Sequence, residues 1–132
     1  MRFITSLLIV GGLAIAFNAE AARQKSINRI YFDASGKVVG QNAYFCNNVH
    51  WQGGDLSSAI QLSISGGCGD ISVVCDGSGG CQELPPDYSI ETYLSGNPSF
   101  TKEEACQLAG NVCDSNEPEI VPGVDYPIGP VP

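Results

Sequence analysis

The stretch Ser26-Ile27-Asn28-Arg29-Ile30-Tyr31-Phe32-Asp33-Ala34-Ser35-Gly36-Lys37-Val38-Val39-Gly40-Gln41-Asn42-Ala43-Tyr44-Phe45-Cys46 decides the fold. Ile30 and Phe32 fall on one face of an alternating run, and Ile27, Arg29 and Tyr31 fall on the other. The β-formers at the end of the run favour extended backbone, which predicts a strand over 26–32. Asp33-Ala34-Ser35-Gly36-Lys37 is turn chemistry: Asp bonds its local backbone, and Gly takes positive φ without strain. Residues 38–46, with Val39, Tyr44 and Phe45, then read as the return strand of a β-hairpin. Gly40 marks a bulge in it.

Beyond the hairpin, residues 47–55 read as a polar loop carrying His50 and Trp51. Leu56, Ile60, Leu62 and Ile64 alternate, predicting a third strand over 56–65 that Gly66-Gly67-Cys68-Gly69-Asp70 ends. The β-branched run 71–75 is a fourth strand, and 83–86 is a break. Residues 88–94 are extended on Tyr88, Ile90 and Tyr93 until Ser95-Gly96-Asn97-Pro98 stops them. Thr101-Lys102-Glu103-Glu104 opens a helix, since Thr101 can cap free N–H groups and Glu104 can reach back. Ala105, Cys106, Leu108 and Ala109 form its apolar face, and Gly110 or Asn111 closes it. A helix of about two turns does not persist alone, so it must dock. Five of the eight Pro lie in 116–132, which predicts a Pro-rich disordered tail. The fold class is a small β-rich α+β domain. It has an antiparallel sheet of about three to five short strands, one short C-terminal helix and stabilising disulfides.

The chain has 132 residues, room for one domain. Met1-Arg2 is a positive start, residues 3–17 are uncharged and apolar, and Ala19-Glu20-Ala21 supplies the small residues of a cleavage site. The apolar run falls short of the roughly 20 residues a bilayer core needs. The organisation is therefore signal peptide 1–21, flexible N-terminus 22–26, folded domain 27–115 and tail 116–132. Export to the periplasm or the extracellular medium follows, with no membrane attachment after cleavage.

The six cysteines are Cys46, Cys68, Cys75, Cys81, Cys106 and Cys113. An even number in an exported chain points to disulfides. No Cys-x-x-Cys pair supports a zinc site or a redox centre. Six Cys allow fifteen pairings, and the sequence does not fix which forms; Cys75 with Cys81 is the favoured pair, because Asp76-Gly77-Ser78-Gly79-Gly80 can turn the chain back. Cys106 either bridges locally to Cys113 or ties the helix back to the sheet.

Six Lys and Arg face fourteen Asp and Glu, a net charge of -8. That balance excludes a basic nucleic-acid binder. From Asp55 onward the only base is Lys102, so this half disfavours anionic partners and membranes and permits cationic ones. Asp70 and Asp76 with nearby carbonyls could hold Ca²⁺, although the loop lacks the alternating ligands and closing Glu of an EF-hand.

His50 is the single histidine, so imidazole-based catalysis must use it, with Asp55 as the acid within reach in sequence. No nucleophile motif accompanies it, no phosphate-binding Gly loop occurs, and no pair of carboxylates stands out for glycoside hydrolysis. No catalytic residue, metal ligand or cofactor is assigned.

Ile30-Tyr31-Phe32-Asp33, Val38-Val39-Gly40, Cys46 and Trp51-Gln52-Gly53 resemble a family of small exported bacterial proteins of unknown function. The resemblance implies a bacterial exported origin and supplies no activity. The expected function is therefore non-catalytic binding of another protein or a surface component. Tyr44, Phe45 and Trp51 are candidate contact residues, with the core as the competing place for strand aromatics. The alternatives are a small secreted hydrolase using His50, or a protease-inhibitor or toxin-neutralising protein presenting the loop between Cys75 and Cys81. Mass spectrometry of the exported protein should show two hydrogens fewer per bridge than the all-thiol form. Six free thiols would defeat the disulfide assignment.

Overall fold

The computed structural model describes residues 23–132. The expected signal peptide, 1–21, lies outside them. An antiparallel six-stranded sheet is built around β1 (Lys25–Phe32). The turn beginning at Asp33 returns the chain as β2 (Val38–Tyr44). Gly36 there holds φ 88°, a backbone that glycine adopts without a Cβ clash. The ladder slips between Tyr31 and Phe32, which face Gly40 and Val38, so the bulge is at Val39, beside the predicted glycine.

β3 (His50–Gly54) pairs with β2, β4 (Ile60–Gly67) pairs with the other edge of β1, and β7 (Ile90–Ser95) pairs with β4. A two-residue β8 (Gly129–Pro130) borders β3. The order is β7-β4-β1-β2-β3-β8. A separate ribbon, β5 (Ser72–Cys75) with β6 (Cys81–Leu84), interrupts the connection from β4 to β7. The helix α1 (Lys102–Leu108) has the full capping box: Glu104 N–H donates to Thr101 Oγ1, and Thr101 N–H donates to Glu104 Oε2. A single 3-10 turn, Val112–Asp114, follows it.

One face of the sheet is covered. Ile30 and Phe32, with Leu62 and Ile64 of β4, pack against Ala105, Ala109, Val112 and Val121. The disulfides are Cys46–Cys68, Cys75–Cys81 and Cys106–Cys113. The first joins the ends of β2 and β4 across the start of β1, and the last is the local alternative for Cys106.

Several expectations are corrected. The N-terminal 22–26 segment is not flexible throughout, because β1 starts at Lys25 and the buried Ser26 hydroxyl donates to the Asn116 carbonyl. Residues 50–54 form a strand rather than a loop, held by backbone pairing to β2 despite the weak Gln52-Gly53-Gly54 pattern. The predicted third strand begins at Ile60 rather than 56, and 81–84 forms a strand where a break was expected from 83. The fold class holds, a small β-rich α+β domain with an antiparallel sheet, one short helix and three disulfides, and the two-residue β8 brings the sheet to six strands.

The largest correction concerns 116–132. The segment runs across the covered face, and Val121 is 4% exposed within the core. Proline removes N–H donors, but carbonyls remain and serve as acceptors. Gln41, 0% exposed, donates from Nε2 to the Glu119 carbonyl (2.8 Å) and to Asn28 Oδ1 (2.8 Å). Its Oε1 accepts from Val121 N–H at 2.9 Å. Gly66 has no Cβ to collide with the Asn116 carbonyl, so the segment lies directly on the sheet.

Three variants test this. Gln41→Leu leaves buried backbone groups unpaired and should cost about 2 kcal/mol or more, lowering the melting midpoint by roughly 8–16 °C. The exposed Gln24→Ala should leave it unchanged. A chain ending at Glu117 should melt lower still. Thermal unfolding by circular dichroism reads all three, and an unshifted midpoint for Gln41→Leu would remove the assigned role of the amide.

Candidate binding surfaces

Two surfaces remain open. The first is the uncovered face of the sheet. Register and alternation place Ser63, Arg29, Asn42 and Gln52 in one cross-strand row over β4, β1, β2 and β3, with Tyr93 of β7 at its end. In the neighbouring row, Tyr44 stacks on His50 with centroids 4.0 Å apart, and the Arg23 guanidinium lies 4.8 Å from the Tyr44 ring centre. His50 Nε2 faces Asn42 Oδ1 at 2.5 Å, and since a carbonyl oxygen only accepts, the ring nitrogen donates.

The second surface is the connection 68–89. Its base is fastened to β4: Gly69 N–H donates to the Asp87 carbonyl (3.0 Å) and Gly67 N–H to the Ser89 carbonyl (2.8 Å). Beyond that base the ribbon projects as an arm, and every residue from 73 to 89 is exposed. Val73 is 58% and Val74 55% exposed, with Ile71, Leu84 and Tyr88 also in solvent. Cys75 and Cys81 face each other in the ladder and close the ribbon. At its tip, Asp76 Oδ1 accepts from Ser78 N–H, Ser78 Oγ and Gly80 N–H.

The sequence-selected residues divide between these places. Tyr44 lies on the open face, whereas Phe45 and Trp51 meet edge to face, centroids 6.3 Å apart, and are half-buried. His50 and Asp55 share no hydrogen bond among the described residues; the Asp55 carboxylate accepts from Ser57 N–H and Oγ instead. Asp70 is exposed, and Asp76 is occupied by its own turn. No group of three or more His, Cys, Asp or Glu side chains is gathered as a metal would require among the described residues. The Cys residues are all bonded in pairs. What sequence reasoning missed is the row through Arg29, Asn42 and Gln52. Its signal was one polar residue on each strand, with Arg29 between Ile27 and Tyr31 on the face opposite Ile30 and Phe32, and it needed the strand order to be read as one surface.

No protein-family model, curated protein or solved structure matches the chain.

A single device recurs at the turns. Asp33, Asp55, Asp76 and Asp87 each accept from the backbone of the Ser two residues on. Hydrogen bonding, from the Ser side chain first, holds all four carboxyls below their ordinary value of 3.8. A depressed folded pKa contributes stability that is fully present above the unfolded value and lost as pH falls through the folded one. The melting midpoint should therefore hold down to about pH 4 and fall below it. Asp33→Ala should lower the midpoint at neutral pH and blunt the acid drop. A midpoint equally high at pH 2 and pH 6 would contradict the role of these turns.

Proposed function

We propose that this chain is an exported, disulfide-fastened, non-catalytic protein that binds another protein through its projecting arm. Export is supported by the N-terminal pattern of 1–21 and by the three bridged cysteine pairs. These bridges are compatible with an exported protein, as is the absence, among the described residues, of a helix long and apolar enough to cross a membrane. The observation that carries the binding function is the arm itself: Val73 and Val74 sit more than half exposed on a ribbon with both faces in solvent. Apolar side chains held in water on an ordered element gain free energy only on contact with another surface. The tip, Gly77-Ser78-Gly79-Gly80, offers little side chain to fill an enzyme pocket, which favours the ribbon flanks over an inhibitor loop as the contact. A partner protein with an apolar cleft fits these flanks.

The test is photo-crosslinking from Val74 in the exporting cell, followed by binding to the purified partner. The double variant Val73→Ser, Val74→Ser should weaken that complex roughly 100-fold if both side chains are buried in it. Unchanged affinity, or substrate turnover by the purified protein with no crosslink, would overturn the proposal.

A further inference from the structure

The charge of the chain is unevenly sorted in space. Three of its five cations after residue 22, Arg23, Lys25 and Arg29, belong to the start of β1 and the open face of the sheet. Lys25, Lys37 and Lys102 each have a carboxylate partner, in Glu91, Asp125 and Glu103. Arg23 lies against Tyr44 and donates to the Lys25 carbonyl. Arg29 alone among the described cations has neither a carboxylate nor an aromatic partner, and it stands half-buried at the centre of the sheet. Its cross-strand neighbours are the neutral Asn42 and Ser63. A guanidinium with its stem packed on a sheet and its fork unpaired is arranged for a planar anion, which it holds bidentately.

We propose that this face binds a strand of acidic polysaccharide, with Arg29 receiving a uronate carboxylate. The row from Tyr93 to Gln52 crosses five strands, about 19 Å, the length of several sugar rings. Along it, Ser63, Asn42 and Gln52 offer hydroxyl and amide groups that both donate and accept, as sugar hydroxyls require. Tyr93, 69% exposed, presents a ring face for sugar C–H edges. A nucleic-acid strand is disfavoured, since single strands are held by several stacked rings along a basic groove, and the row has one exposed ring, Tyr93, and one cation, Arg29. A lipid surface would need a cluster of apolar anchors beside several cations, and the row carries one exposed ring, Tyr93, and one cation. This surface is independent of the arm.

Affinity electrophoresis and calorimetry with polygalacturonate test the assignment, with neutral amylose and oligothymidylate as controls. The intact protein should bind polygalacturonate in a salt-sensitive way and neither control. Arg29→Gln should weaken binding at least tenfold with an unchanged melting midpoint, and Arg29→Lys should restore only part of it. If Arg29→Gln does not fold, the exposed Tyr93→Ala decides, with an expected loss of several-fold. The Val73→Ser, Val74→Ser variant should bind polygalacturonate as the native chain does, which separates this surface from the arm. The proposal is overturned by no binding to polygalacturonate, by equal binding to amylose or oligothymidylate, or by full affinity in folded Arg29→Gln. Where that variant does not fold, full affinity in Tyr93→Ala overturns it.

Discussion

The buried amide of Gln41 joins three pieces of chain that are far apart in sequence. It meets Asn28 of β1 from its place on β2, and it takes both the Glu119 carbonyl and the Val121 N–H of the C-terminal segment. Burying a primary amide is unfavourable unless its bonds are made, and a well-made bond returns only about 1 kcal/mol net. The net gain is therefore small and the specificity large. A one-residue slip of the segment would put a side chain where Val121 sits and leave the amide unpaired. The same constraint explains Ser26 and Asn28, which would otherwise be polar residues on a core face. They exist to receive a backbone, and the sheet is closed on that side because they do.

The hairpin and the helix were legible because their signals are local. The turn after Asp33 and the Thr101–Glu104 box specify structure within five residues, and both formed as their chemistry dictates. Cys75–Cys81 was legible for the same reason, since the intervening glycines let the chain turn back on itself. The C-terminal segment was not, because its partners lie about 80–90 residues upstream. Prolines at 118, 122 and 127 read as disorder when donors alone are considered, yet the bonds here use acceptors for the most part. β3 was hidden by Gly53 and Gly54, whose missing side chains admit the segment at Pro127 and the ring of Tyr126. Of the candidate contacts, Tyr44 could be placed on a strand but not on a face, because its neighbour His50 arrives on another strand.

Charge illustrates the gap between composition and surface. A chain of net charge -8 is a poor ligand for anions on average. Averages lose their meaning once strands alternate, since successive residues go to opposite faces. On β1 this alternation sends Ile30 and Phe32 inward and Arg29 outward, into a row whose other members are neutral. At physiological salt the acids across the domain are screened within about 8 Å. A central guanidinium therefore sees its own row more strongly than the chain's total.

The three bridges divide the labour unequally. Cys46–Cys68 closes a separation of 22 residues across the sheet and Cys106–Cys113 steadies the end of the docked helix, so both serve the core. Cys75–Cys81 touches no core residue, since its ribbon is exposed on both faces. An isolated two-stranded ribbon is marginal in water, and its order here needs the bridge and the Asp76 turn. Removing the ribbon, 72–84, would leave the β4–β7 pairing and the Cys46–Cys68 bridge in place and take the exposed Val73 and Val74 out of water. The ribbon thus adds nothing that the fold requires. What its bridge preserves is the shape of an apolar surface, and shape without internal benefit is what a contact with another molecule would use.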